Sequence, residues 1–194
     1  MNGQVLVDLA WWDRPPDAVD DQVLRRCGGP TLDVGCGPGR MVVELARRGV
    51  PALGIDVLAS AVRQVLARGG HALTRSVFDE LPCEGRWQTV LLLDGCVGIG
   101  GDPKILLARI RELLAPGGVA YIEHDREPDR AEYTTARLRY AGGEEATVDW
   151  TEVGWCLLAR VAGEVDLVVE DTWTAGGRSF AAFSRPVERR AEWS

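Results

Sequence analysis

Short apolar runs alternate with amphipathic stretches along most of the chain. That alternation predicts strands and helices taken in turn, and hence an α/β fold. A helix is expected from Asp17 to Cys27, capped by Asp17 and ended by Gly28-Gly29. Thr31–Val34 reads as the first core strand, followed by a glycine cluster from Gly35 to Gly39. A helix over Met41–Arg48, a strand over Ala52–Asp56, a helix over Ala59–Arg68 and a strand over Ala72–Phe78 continue the alternation. Gln88–Asp94 holds the run Val90-Leu91-Leu92-Leu93, the composition of a central strand buried on both faces. Asp102-Pro103 opens a helix to Leu114, with proline at its first position, and Pro116-Gly117-Gly118 turns the chain into a fifth strand, Val119–Glu123.

Beyond the fifth strand the pattern changes. Tyr133–Tyr140 and Ala146–Trp150 flank Gly142-Gly143 and read as a hairpin; a helix over Thr151–Val161 follows. Val165–Trp173 and Arg178–Ser184 flank Gly176-Gly177 and form a second, terminal hairpin. The expected architecture is a single doubly wound domain. It holds a mostly parallel seven-stranded sheet, a C-terminal antiparallel hairpin, and a β-hairpin inserted after strand 5. Residues 1–29 form an N-terminal segment and helix, a possible cap, and residues 30–194 the main domain, with the insert at about 132–150. Ligands on such a sheet sit outside the carboxyl ends of its strands.

Composition narrows the function. The 194 residues include 46% hydrophobic and 26% charged, the balance of a globular protein rather than a disordered one. With 22 Lys and Arg against 29 Asp and Glu the net charge is -7, the wrong sign for a generic nucleic-acid binder. No apolar run approaches the roughly 20 residues of a membrane helix. Met1–Trp12 contains Asp8 and no basic start, so no secretory leader is expected there. Cys27, Cys36, Cys83, Cys96 and Cys156 are odd in number and form no C-x-x-C, so neither a disulfide framework nor a metal site is expected. A cytoplasmic protein, monomeric or homodimeric, is the expectation.

The strongest chemical signal is Leu32-Asp33-Val34-Gly35-Cys36-Gly37-Pro38-Gly39-Arg40. Glycines at alternate positions after a strand let the backbone turn sharply and lie against a ligand. The spacing is G-x-G-x-G, with Arg40 where a dinucleotide fingerprint G-x-G-x-x-G would carry its third glycine. With Leu53-Gly54-Ile55-Asp56 one helix later and the turn Pro116-Gly117-Gly118, this set resembles class I S-adenosylmethionine-dependent methyltransferases. The resemblance covers roughly Thr31 to Asp125 by motif.

It implies S-adenosylmethionine as cofactor and S-adenosylhomocysteine as product, at a site containing Asp33, Gly35, Cys36, Gly37, Gly39, Asp56, Val57, Phe78, Asp79, Asp94 and Gly95. By resemblance Asp56 takes the ribose hydroxyls, a role suited to a carboxylate's two acceptor oxygens, and Asp79 takes the adenine amino group with Phe78 near the ring. Asp94 would lie beside the methionine part.

The acceptor side is less marked. The loop Gly95–Gly101 either offers backbone N–H groups to an anion or leaves room for substrate through Gly98 and Gly100. Trp11, Trp12, Tyr133, Tyr140 and Trp150 form either an aromatic lid or plain packing. His124, at the end of the fifth strand, is a candidate general base or a structural residue, with Glu123 and Asp125 as alternative bases. The expected function is methyl transfer to an O, N or C atom of a small molecule. The rivals are a non-catalytic binding module and an NAD(P)-dependent oxidoreductase.

Overall fold

The computed structural model describes residues 4–8, 12–139 and 144–187. The strands are β1 (Gln4–Asp8), β2 (Thr31–Val34), β3 (Ala52–Asp56), β4 (Ala72–Thr74), β5 (Trp87–Leu92), β6 (Leu114–His124), β7 (Ala131–Arg139), β8 (Glu145–Val153), β9 (Val168–Ala175) and β10 (Arg178–Ser184). The helices are α1 (Ala18–Leu24), α2 (Arg40–Arg47), α3 (Ala59–Ala67), α4 (Pro103–Leu113) and α5 (Trp155–Glu164).

Seven strands form one sheet in the order β4-β3-β2-β5-β6-β10-β9. The strands from β4 to β6 are parallel; β10 is antiparallel to both β6 and β9. The doubly wound sheet and terminal hairpin are as the sequence pattern implies. β5 shows why its apolar run is continuous. Val90 and Leu92 pack on one face with Leu106, Ile110 and Leu113 of α4, while Leu91 and Leu93 pack on the other with Val23 and Leu24 of α1 and Met41 and Leu45 of α2. A parallel strand between two helical layers has no polar face to show.

β7 and β8 form the inserted hairpin, and β1 joins β7 in parallel, making a separate three-stranded sheet β1-β7-β8. The N-terminal segment therefore contributes a strand, which its composition did not announce. The turn Gly142-Gly143, with Tyr140, lies outside the described residues, as does Trp11.

Several boundaries differ from the sequence pattern. β4 stops at Thr74 instead of reaching Phe78, because Ser76 N donates to Asp79 Oδ2 at 2.8 Å and Asp79 N returns to Ser76 O at 3.1 Å, closing a turn. The helix expected over Thr151–Val161 starts only at Trp155, and β8 runs on to Val153. Its start is fixed by Gly154, where a Cβ would lie 2.1 Å from Glu127 O, so only glycine passes. β6 begins at Leu114 rather than Val119, with a register shift between Trp87 and Thr89 of β5 absorbing the Gly117-Gly118 turn. β9 begins at Val168 because α5 continues to Glu164.

Two helix starts follow from local chemistry. Asp17 accepts from Val19 N and Asp20 N at 2.8 and 2.9 Å, and Asp20 reaches back to Asp17 N at 3.2 Å, a capping box. Asp102 accepts from Lys104 N at 2.9 Å, with Pro103 as the first residue of α4. No described helix is long and apolar enough to cross a membrane.

Candidate active site

A cavity of about 320 Å³ opens at the carboxyl ends of β2, β3 and β5. Its floor is the glycine loop Gly35–Gly37 with Asp33, Asp56, Val57, Asp94 and Cys96. Its roof is the inner face of the smaller sheet. Thr134, Ala136 and Leu138 of β7 and Val148, Trp150 and Glu152 of β8 alternate along their strands and so point the same way. Trp12 and Arg75–Val77 close the side.

The sharp turn after β2 uses left-handed backbone at Gly35, Gly37 and Gly39. Around Gly37 a Cβ would meet nothing within 4 Å, so the loop lies open to the cavity there. Gly37 N donates to Asp56 Oδ2 and Leu58 N to Asp56 Oδ1, both at 2.9 Å. Each carboxylate oxygen keeps acceptor capacity for a further donor. Burial pushes the Asp56 carboxyl above its ordinary range, against the backbone N–H groups that favour its ionised form.

Asp33 is almost wholly buried at the start of the loop, and no donor among the described residues bonds its carboxyl. Burial pushes its pKa up to about 7; Arg40 opposes the shift, while Asp94, Asp56 and Asp20 add to it. The Cys36 and Cys96 thiols are likewise pushed well up by burial, which keeps both protonated.

The charged end of the cavity is built by residues far apart in sequence. Arg40 donates to Asp20 from Nε at 3.0 Å and from Nη2 at 3.2 Å, and its Nη1 lies 2.7 Å from Asp94 Oδ2. Arg178 donates to Asp20 Oδ1 at 2.7 Å and grips Glu123 through Nε and Nη2 at 2.8 and 2.7 Å. Arg14 adds a third contact to Asp20 at 3.2 Å. Burial would raise the Asp20 carboxyl, but hydrogen bonds from Arg40 and Arg178 outweigh it and hold the pKa at about 2.

This donor set fits an adenosyl sulfonium with an amino-acid tail: an open glycine loop, a diol-sized acceptor at Asp56, and unbonded carboxylate capacity at Asp33. The fold and the site together are those of the class I S-adenosylmethionine-dependent methyltransferase family. A methyltransferase domain family matches residues 14–159, and the chain belongs to it. The release factor glutamine methyltransferase of Rhodospirillum rubrum is 32% identical over 176 residues, covering 71% of this chain and 53% of that protein. The chain thus spans about half the length of this relative.

Among solved structures, a methyltransferase from Bacteroides fragilis in complex with S-adenosylhomocysteine superposes with a TM-score of 0.75 at 21% identity, over 89% of this chain and 78% of its own. The 1,6-didemethyltoxoflavin-N1-methyltransferase of Burkholderia thailandensis superposes with a TM-score of 0.68 at 17% identity, over 91% of this chain and 81% of its own.

Of the residues expected at the cofactor site, Asp33, Gly35, Cys36, Gly37, Asp56, Val57 and Asp94 line the cavity. Gly39 and Gly95 do not; they turn the backbone at its edge in left-handed conformations. Phe78 and Asp79 are also off the wall, because β4 ends early. Phe78 packs on Gly100, and Asp79 closes the Ser76 turn. Arg75, Ser76 and Val77 take that stretch of wall instead.

On the acceptor side Trp12 and Trp150 line the cavity, whereas Tyr133 points outward and donates to Asp149 Oδ1 at 2.6 Å. Gly98 and Gly100 are neither an anion site nor free room. Gly98 lets β8 approach, since a Cβ there would lie 2.1 Å from Thr151 O, and Gly100 N donates to Asp149 O at 3.0 Å. His124 is off the cavity: its Nδ1 lies 2.8 Å from Asp125 O and its ring packs against Trp155. Strand alternation explains this, because Glu123 faces the charged cluster and His124 must face the opposite side.

Sequence reasoning passed over Asp20, Arg40, Arg178 and the partner role of Glu123. A signal was present. Asp20 stands four residues before Leu24 on the apolar face of α1, and Arg178 stands two before Phe180 on β10; both interrupt faces that pack into the core. A charge at a core position demands a partner of opposite sign. Which one it meets depends on the fold.

Proposed function

We propose that the protein transfers a methyl group from S-adenosylmethionine to an O, N or C atom of a small-molecule acceptor. The observation that carries this is the roof. The β7–β8 face covers the floor on which the cofactor residues stand, leaving a cavity of about 320 Å³, a size for a small molecule rather than a folded macromolecule. The Burkholderia enzyme, solved with 1,6-didemethyltoxoflavin, is a neighbour acting on such a molecule. The net charge of -7 is an argument against a nucleic-acid acceptor. Five free cysteines suit a reducing cytoplasm, with a monomer or homodimer as the working unit.

S-adenosylmethionine supplies an electrophilic methyl on a sulfonium. In this reading Asp56 accepts from the ribose hydroxyls, Asp33 and Asp94 face the ammonium of the amino-acid tail, and the open backbone at Gly37 lets the cofactor lie close. The residues Arg75–Val77 border the base. Trp150 and Val148 on the roof exclude water and press the acceptor toward the methyl, since in-line transfer depends first on alignment. His124 has no part in it.

The test is a metabolite-library screen that reports S-adenosylhomocysteine release, run beside a release-factor peptide. Turnover of a small molecule with none on the peptide is expected. Turnover of the peptide alone would overturn the acceptor class, and absence of S-adenosylhomocysteine binding by calorimetry would overturn the methyltransferase reading.

A further inference from the structure

Asp94 has an unusual backbone. Its φ is +53°, and Gly95 follows at +80°. Glycine takes that region freely, but an aspartate held there must be fixed by its surroundings. Three contacts fix it. Its N–H donates to Glu123 Oε2 at 2.8 Å, its Oδ2 meets Arg40 Nη1 at 2.7 Å, and its Oδ1 lies 3.5 Å from Arg178 Nη2. Glu123 is itself held by the Arg178 fork at 2.8 and 2.7 Å, a bidentate pair that fixes orientation as well as distance. Arg178 is anchored in turn on Asp20, the fully buried carboxylate of α1.

The chain of contacts runs one way, from β10 through the end of β6 to the end of β5, and stops at the cavity wall. Just past Asp94, a Cβ on Gly95 would lie 3.4 Å from Trp150 of the roof. The Asp94-Gly95 turn therefore lies against the roof as well as at the cavity wall.

We propose that Glu123 and Arg178 are positioning residues that act through Asp94. They hold its left-handed turn, and with it the carboxylate that meets the cofactor's amino-acid tail. This rests on the methyltransferase reading above. Neither residue lines the cavity, so neither touches the cofactor or the acceptor. Without Glu123, the Asp94 N–H loses its acceptor and the turn relaxes. Without the Arg178 fork, Glu123 is free to rotate and the same turn loses its support.

The test is a double-mutant cycle read by S-adenosylhomocysteine calorimetry on the full-length chain, with thermal unfolding recorded for every variant. Glu123→Ala is expected to weaken binding about tenfold, within the range seen for residues in one hydrogen-bond network, and to add less than about twofold in an Asp94→Ala background. Glu123→Gln keeps a carbonyl that accepts the Asp94 N–H and should retain most of the affinity. A purely structural role would give no such rescue and no such dependence on Asp94. Independent losses that multiply in the double variant, or an unchanged affinity in Glu123→Ala, would overturn the proposal.

If Glu123→Ala does not fold, Arg178→Lys and Asp94→Ala complete the same cycle, since a lysine keeps the charge but not the fork. Wild-type protein that binds no S-adenosylhomocysteine would bring down the methyltransferase reading and this proposal together. Wild-type binding with a multiplicative cycle would bring down the positioning role alone.

Discussion

The seven-stranded sheet and the three-stranded roof are built on opposite terms. Strands β2 and β5 lie between two helical layers, and their side chains are buried on both faces. β7 and β8 show one face to the cavity and the other to solvent, with Tyr133, Thr147 and Asp149 outward and Ala136, Val148 and Trp150 inward. The large sheet is held by its own core. The roof is held at a few seams: Gly100 N to Asp149 O at 3.0 Å, Thr151 Oγ1 to Gly101 O at 2.6 Å, and Glu144 on the start of α3 at 3.2 and 2.7 Å. The β7–β8 hairpin by itself would be only marginally stable, so its closure over the floor depends on β1 and on those seams. The scaffold is therefore suited to fixing the cofactor, and the roof to admitting and choosing an acceptor.

The comparison breaks first at its strongest point. Asp20→Ala should destabilise the protein by about 3–5 kcal/mol, because it leaves the buried Arg40 and Arg178 without their shared partner. Denaturant unfolding measures this; a loss below about 1 kcal/mol, the usual worth of an exposed pair, would mean that the cluster is not a buried network.

The floor comes next. Asp56→Ala should weaken S-adenosylhomocysteine by about 1.5–3 kcal/mol, the range for hydrogen bonds to charged groups. Unchanged calorimetric affinity would remove Asp56 from the site.

The roof's seam is weaker. Leu58, the residue that caps α3, makes no side-chain cap bond of its own, and Glu144 from the hairpin serves instead. Glu144→Ala should cost about 1 kcal/mol, as for a lost helix cap, and should speed hydrogen exchange in β7 and β8 while leaving β5 unchanged. Equal acceleration in both sheets would show that roof and scaffold open as one unit.

The floor also carries a pH dependence. Asp33 has a folded pKa of about 7, above its ordinary 3.8. A raised carboxyl leaves the folded state unpenalised below the unfolded pKa. The penalty grows as pH rises through the interval and is complete above about 7. Asp33→Asn should therefore raise the unfolding temperature of the ligand-free protein at pH 8, by roughly 2–4 °C for each kcal/mol of penalty relieved, with little change near pH 4. The same gain at both pH values would mean that ionisation of Asp33 is not responsible.

Much of this was legible beforehand. The glycine loop, Asp56 and Asp94 stand where the strand pattern places them, because each follows directly from a local element: a strand end, then a turn. Phe78 and Asp79 were misplaced for a local reason too, the Ser76 turn that ends β4 early. His124 was misplaced by one position of strand alternation, which puts Glu123 rather than its neighbour toward the charged cluster.

What the sequence determined by itself was periodicity and local chemistry: the apolar run of β5, the capping box at Asp17, the G-x-G-x-G turn and the family they resemble. Only the tertiary structure decided that Gln4–Asp8 pairs with β7, that Gly98 exists for Thr151, and that Asp20, Arg40, Asp94, Glu123 and Arg178 meet. The physical reason is separation along the chain. A helix cap or turn is satisfied within a few residues, so its residue types reveal it. A buried charge is satisfied by whatever the fold brings to it, and Arg178 finds Asp20 158 residues away.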